Sequence, residues 1–412
     1  MDQQPDSDDR LPRNVWVMTL ASFLTDVSSD MVNNLIPFFL ANTLGARTGT
    51  VGLVEGLAES ASSFIKLLSG WWSDRVISRK PPTVLGYTIS SLAKPLLAFA
   101  ASWPFVLVLR FADRVGKGIR TAPRDALLAD SIQPARRGAA FGLHRAGDSL
   151  GAVFGLGLAL VIVGLAQGNQ LALSRSTFQR VALISAIPAL LAVMVLIIGL
   201  REVRRAAPAK GRPILGSFQA MPPRFRRFLV IFAIFVLGNS ADAFILLRIQ
   251  NLGVSVLGVL AVLLAFNVVY SLIAGPAGSL SDRIGRPRLI LFGWAIYAAI
   301  YMGLAMARVA WQAVALFIAY GLYYGLVEGS ARAYVADLAG ADERGSAYGL
   351  YHAVVGIVAL PASIIAGVLW QGIGQWSGFG PAAPFWFGAM MAGLATLLYL
   401  LWLRPFRTEA AV

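Results

Sequence analysis

The sequence predicts an all-α integral membrane protein, with twelve transmembrane helices in two pseudo-symmetric six-helix bundles. Three observations carry that prediction. Of 412 residues, 57% are hydrophobic and only 14% are charged, whereas about a quarter of a soluble domain is charged. The Lys and Arg residues gather in alternate connections between apolar runs, the asymmetry that orients helices in a bilayer. A pattern in the first half of the chain also returns in the second.

The apolar runs fall at 14–40, 49–73, 82–102, 104–129, 138–164 and 178–200, then at 228–250, 254–279, 288–308, 311–338, 345–370 and 382–403. Each reaches the roughly 20 residues that a helix needs to cross about 30 Å of hydrocarbon. Strand-like alternation of the kind that builds a membrane barrel is absent from these runs. The first thirteen residues are polar and open with acids, unlike a cleaved signal. The connections with Arg75, Arg79 and Lys80, with Arg136 and Arg137, with Arg201 through Arg227, and with Arg283, Arg286 and Arg288 share one side. The charge bias makes that side cytoplasmic and puts both termini there, in a bacterial plasma membrane. The opposite connections, such as "ASWP" and "WQGIGQWSGFGPAAP", carry Trp and Pro and almost no cations.

The repeat pairs "GWWSDRVISRK" from Gly70 with "GSLSDRIGRPR" from Gly278, and aligns Asp130 with Asp337, Arg137 with Arg344 and Gly142 with Gly349. The chain accordingly divides into a tail 1–13, a bundle 14–201, a polar and Pro-containing linker 202–226, a second bundle 227–404 and a tail 405–412. These motifs resemble those of the major facilitator superfamily, over essentially the whole chain after the first tail. Gly70, Asp74, Arg75, Arg79 and Lys80 are similar to the family's loop motif between helices 2 and 3. Gly278, Asp282, Arg283 and Arg286 are similar to its echo between helices 8 and 9, and Arg110 stands where the family's helix 4 arginine is expected. Gly147, Gly151 and Gly155 match part of the antiporter pattern of helix 5, from which Leu156 departs in place of a proline. The resemblance implies helices 1, 4, 7 and 10 around a central cavity, bundles that rock about it, and latches from Arg75 to Asp130 and from Arg283 to Asp337.

Charges within the spans are costly, about 2.5–3.5 kcal/mol each on insertion scales, and usually face a cavity or a partner. "FLTDVSSDMVNN" sets Ser22, Asp26, Ser29, Asp30 and Asn33 at helical spacing on helix 1, and Asn239 and Asp242 answer on helix 7. Helix 4 carries Arg110, Asp113, Arg114, Lys117, Arg120, Arg124 and Asp125, and the spacing of Asp113, Lys117, Arg120 and Arg124 suits one cavity-facing side. Glu328 and Arg332 stand at i,i+4 on helix 10, in the order that favours an intrahelical ion pair. Helix 2 adds Glu55, Glu59 and Lys66, helix 3 Lys94, and helix 5 His144, Arg145 and Asp148. Asp26, Asp30, Asn33, Arg110, Arg114, Lys117, Asn239, Asp242, Glu328 and Arg332 are therefore the candidate substrate and proton residues.

No catalytic residues, metal site or cofactor are expected. Cysteine is absent and only two histidines are present, "RVGKG" lacks phosphate-loop spacing, and neither a His-Glu-x-x-His nor a Gly-x-Ser-x-Gly motif occurs. The net charge of +14 sits in the membrane connections, so no nucleic-acid partner is expected. The sequence instead points to a monomeric secondary transporter in the lipid bilayer, taking a small anionic, zwitterionic or multiply polar organic solute by alternating access, with proton coupling through Asp26 or Asp30. A carboxylate in a low-dielectric cavity can hold a proton until a cation displaces it, which makes such a group a coupling element. A ferroportin-like metal-ion transporter using Asp26, Asp30, Asn239, Asp242 and His352, and a broad-specificity drug antiporter, are the alternatives.

Overall fold

The computed structural model describes residues 11–73, 78–132, 137–203, 217–338 and 344–403. Among them no strand occurs, and twelve long helical segments follow one another: α1 Arg13–Asn33, α2 Thr48–Ser73, α3 Lys80–Leu96, α4 Trp103–Asp130, α5 Arg137–Gln167, α6 Arg175–Gly199, α7 Pro223–Asn251, α8 Val256–Ile284, α9 Arg286–Met306, α10 Ala310–Leu338, α11 Arg344–Gln371 and α12 Ala383–Trp402. Eight of them, α5 to α12, are long and apolar enough by length and composition to cross a membrane. The first four carry most of the in-span charges anticipated above, which lowers their hydropathy without breaking the helices.

Local chemistry sets the helix ends. Ser174 and Ser255 cap α6 and α8, their Oγ atoms accepting the N–H of Thr177 at 3.2 Å and of Gly258 at 3.1 Å. Between α8 and α9 the connection is the single residue Gly285 at φ 91°, a conformation that a side chain would strain. Three of the expected spans are interrupted, the sixth only at Ser185. The α-helix of the first span ends at Asn33 and continues as a short helical turn and a π-helix over Phe39–Thr43. The seventh stops at Gly238 and resumes at Ala243.

The second half repeats the packing of the first. Helix α1 lies against α5 and α6, while α7 lies against α11 and α12; α2 and α3 both pack on α4, and α8 and α9 both pack on α10. Close approach of α1 and α5 depends on glycine: a Cβ at Gly147 would come within 2.7 Å of Thr19, one at Gly151 within 2.6 Å of the Phe23 carbonyl, and one at Gly155 within 2.5 Å of the Val27 carbonyl. These three glycines press α5 directly behind Asp26 and Asp30.

The halves meet along α2 with α11 and α5 with α8. At the ends of the helices away from the repeated Asp-Arg motifs, here the far face, hydrogen bonds stitch one half to the other. Thr48 N donates to Gln371 Oε1 at 2.8 Å, Arg47 Nη2 to the Gln371 carbonyl at 2.7 Å, and Gln250 Nε2 to Asn42 Oδ1 at 2.8 Å and the Leu171 carbonyl at 2.7 Å. Ser255 also donates to Asn169.

Candidate functional site

A cavity of about 740 Å³ lies between the halves, within the usual range for small-molecule sites. All ten candidate residues line it: Asp26, Asp30, Asn33, Arg110, Arg114 and Lys117 on one wall, and Asn239, Asp242, Glu328 and Arg332 on the other. Glu55, Glu59 and Lys66 join the first wall from α2, and His352 joins the second from α11. The lining thus holds six carboxylates (Asp26, Asp30, Glu55, Glu59, Asp242, Glu328) and five Lys or Arg cations (Lys66, Arg110, Arg114, Lys117, Arg332).

Within the first wall Arg110 is 4% exposed and acts as a tie. Its Nη1 donates to Asn33 Oδ1 at 2.5 Å and its Nη2 to Glu55 Oε2 at 2.8 Å, so one planar fork joins α1, α2 and α4. Asp30 Oδ1 accepts only a long contact from Asn34, 3.4 Å. The Asp26 carboxylate accepts no hydrogen bond and joins no ion pair among the described residues, although Lys117, Arg120 and Asp148 lie within electrostatic range. The cavity face of α4 is Arg110, Arg114 and Lys117, spaced i, i+4, i+7. Asp113 and Arg120, expected on that face, turn instead into the first half. Ser90 donates to Asp113 at 2.5 Å, and the Arg120 guanidinium stacks 4.1 Å over the Tyr87 ring. At about 100° per residue, positions 113 and 120 belong to the side of α4 that meets α3. Ser22 is likewise buried off the cavity and accepts from Arg124 at 3.3 Å.

The second wall is built from rings. Phe232, Phe235, Phe266, Phe317, Tyr323, Tyr324 and Tyr351 line it, and Tyr297, Tyr301 and Tyr320 pack behind them. Asp242 sits among these at the break in α7, where Tyr324 donates to its Oδ2 at 3.2 Å and Tyr320 to its Oδ1 at 3.4 Å. A broken membrane helix frees backbone groups that must find partners. Two are supplied here: Tyr297 donates to the Gly238 carbonyl at 2.9 Å, and the Ala241 N–H donates to Ser363 Oγ of α11 at 3.3 Å. Sequence reasoning missed the break and the tyrosines. The signal available was "GNSAD" inside an apolar run, together with "AYGLYYG" on α10, whose tyrosines at 320, 323 and 324 share the helix face toward α7.

Toward the motif-bearing face, Glu328 Oε1 pairs with Arg332 at 2.6 Å, in the expected i,i+4 register. Tyr270 donates to Glu328 Oε2 at 2.7 Å and Arg145 Nη2 donates to Tyr270 at 3.2 Å, which links α5 to α8 and α10. Of the expected latches, Asp74 and Arg75 lie outside the described residues, while Gly70 is in α2 and Gly278 and Asp282 are in α8. Asp130 pairs with Arg79 at 2.5 Å. Asp337 pairs with Arg286 and not with Arg283, because Gly285 turns the chain so that the first residue of α9 faces the end of α10. Glu202 accepts the N–H groups of Arg79 at 3.0 Å and Lys80 at 2.9 Å, together with the Ser78 hydroxyl, and so caps α3 from the end of the first half. Burial pushes its carboxyl up, but the bonds from Ser78 and from the backbone of Arg79, Lys80 and Val203 outweigh that and hold it below the ordinary value.

Among the described residues no group of three or more His, Asp or Glu side chains gathers closely enough to hold a metal ion, so Asp26, Asp30, Asn239, Asp242 and His352 share the cavity without forming a ligand cluster. His144 is buried away from the cavity, 3.9 Å from Asp148.

Helical halves related by their packing, joined over a polar cavity, with a broken helix at its wall, define a multi-pass membrane protein of the transporter class. The family model of the Major Facilitator Superfamily matches residues 18–360 and 228–411, and the chain belongs to that family. An uncharacterized MFS-type transporter of Methanocaldococcus jannaschii is 34% identical over 402 residues, 96% of each chain. Two solved structures share the fold at a TM-score of 0.76. A mutant of the nucleoside transporter NupG is 14% identical, over 96% of this chain and all of that one. A bacterial homolog of the human lysosomal transporter Spinster, inward-facing and occupied, is 16% identical over 96% and 98%.

Proposed function

We propose that the protein is a secondary active transporter of a small organic solute, which it binds in the central cavity and passes across the membrane by alternating access with proton coupling. The observation that carries this reading is the cavity itself: carboxylates and cations on one wall, with Arg110 and Glu55 paired, face rings and a broken helix on the other, at the junction of two halves with repeated packing. The units that rock are the bundles 14–201 and 227–404, joined by the linker 202–226. Positive connections put the linker and both termini in the cytoplasm of a bacterial cell, with the chain acting as a monomer. The far-face hydrogen bonds then close the outer side. The Arg79–Asp130 and Arg286–Asp337 pairs brace the cytoplasmic ends within their own halves.

Proton coupling is assigned to Asp26 and Asp30. Their carboxylates lack a cationic hydrogen-bond partner, and Lys117 stands near enough to exchange with a proton as the bundles move. The test is counterflow and pH-driven uptake in proteoliposomes, with a solute first identified by thermal shift. Asp26→Asn or Asp30→Asn is expected to keep counterflow and lose uphill transport. Uphill uptake in both variants would overturn the assignment. The organic-solute reading is favoured over metal-ion transport because rings, which offer no hard ligand, form much of the lining.

A further inference from the structure

We infer that Asp242 and the rings around it form a receptor for one positively charged nitrogen of the solute, so that the cargo is an organic amine. The inference rests on the transport reading for the word cargo, while the binding site stands on its own geometry. With every group ionised, the six carboxylates of the lining outnumber its five cations by one. On the first wall, charges of both signs stand together, and Glu328 is paired with Arg332. Among the described residues Asp242 is the lining carboxylate with no cation beside it: its hydrogen-bond partners are phenol hydroxyls, and the charged group that acts on it is Glu59, another carboxylate from the opposite wall. A lone carboxylate in such a place calls for a positive charge from outside the protein.

The surroundings specify what kind of charge. The Tyr320 and Tyr324 contacts, 3.4 and 3.2 Å, are long and leave lone pairs open to a stronger donor. Phe266 lies at right angles to Tyr324, with ring centroids 5.6 Å apart, and stacks on Phe317 at 5.0 Å. Those three rings line the cavity with Asp242. Aromatic faces around a carboxylate select an ammonium group carried on a carbon skeleton, because the ring quadrupoles attract its diffuse charge and the skeleton fills the apolar space. A bare sodium ion would find few oxygen ligands there.

The test measures the melting temperature of the full-length protein in detergent with tyramine, with its neutral isostere 4-propylphenol, and with the anionic 3-(4-hydroxyphenyl)propionate. Tyramine is expected to raise the melting temperature by several degrees and the other two to leave it unchanged. Asp242→Asn should weaken the tyramine effect at least about tenfold, the loss of a charge-assisted bond. Should that variant fail to fold, Phe266→Leu removes a ring and is expected to weaken tyramine severalfold. No tyramine effect, an equal effect of the neutral isostere, or full retention in these variants overturns the assignment. Counterflow of labelled tyramine separates the two readings: binding without counterflow overturns transport and leaves the receptor standing. Counterflow that Asp242→Asn does not alter overturns the receptor and leaves transport standing.

Discussion

The contact between α2 and α11 offers a way to move the two halves with one methyl group. Gly52 faces the α11 backbone so closely that an added Cβ would stand 2.3 Å from the Ser363 carbonyl oxygen and 3.1 Å from the Phe244 ring. Ordinary contact begins near 3.4 Å, so α11 must retreat by about 1 Å to accept Gly52→Ala. Overpacking of this kind costs about 1–3 kcal/mol. In the proposed alternating-access cycle this cost falls on the state with the far face closed, so the substitution is expected to shift the closed-to-open equilibrium roughly 5- to 150-fold. Because the chain has no cysteine, spin labels can be placed at will. Leu171 and Ile373 are exposed on the far face in opposite halves, and double electron–electron resonance between labels there reports the gap. Gly52→Ala should move population to longer distances. Gly157→Ala, where a Cβ meets nothing within 4 Å, should not. A Gly52→Ala distribution that superimposes on the unsubstituted protein, with an unchanged melting temperature, would refute the reasoning.

Three further outcomes are expected. Arg110→Lys keeps the charge but cannot serve Asn33 and Glu55 together as the guanidinium fork does, so it should cost about 1–3 kcal/mol in detergent unfolding; Arg110→Gln should cost more and be partly rescued by Glu55→Gln, and additive losses in that double variant would remove the tie. Tyr297→Phe strands the Gly238 carbonyl at the break in α7 and should cost about 1–3 kcal/mol, whereas equal stability would show that another group caps that carbonyl. Glu202 has its folded-state value depressed, so its contribution is present above the ordinary glutamate range and lost as pH falls through the lower folded value. The melting-temperature deficit of Glu202→Gln should therefore be present at neutral pH and shrink as the pH drops below 4.5, and a deficit that grows on acidification would contradict the cap.

Hydropathy and repeat together made the helices legible, since a bilayer forces backbone groups to bond within each segment and leaves few alternatives to a helix. What hydropathy did not reveal is where a helix stops inside the membrane. The break at Asn239–Asp242 contains no proline, and two residues distant in sequence partner the freed backbone groups: Tyr297 donates to the Gly238 carbonyl and Ser363 accepts from the Ala241 N–H. In this structure Asp337 pairs with Arg286, where the resemblance implied Arg283. Arg283 and Arg286 are three residues apart in a motif rich in cations, and Gly285, at φ 91°, separates the end of α8 from Arg286 at the start of α9.

The two walls of the cavity differ in legibility because they differ in chemistry. A charge in a span is anomalous, so Asp26, Asp30, Arg110, Arg114 and Lys117 declare themselves, and helical spacing then narrows the face. The same rule overreached at Asp113 and Arg120, because a polar partner within the bundle satisfies a charge as well as a cavity does. An aromatic residue in a span is ordinary, so Phe266, Phe317 and Tyr324 carry no mark in sequence that separates a lining ring from a lipid-facing or core one. Only the fold shows that they line the same cavity as Asp242, the lining carboxylate without a nearby cation among the described residues, and that Tyr324 bonds to it. That difference bears on function. The charged wall holds acids and bases together, whereas on the aromatic wall Glu328 is paired with Arg332 and Asp242 has only phenol hydroxyls as partners among the described residues. The proposed transporter accordingly couples through the first half and recognises its solute through the second, and substitutions at Asp26 and Asp242 should separate uphill transport from binding.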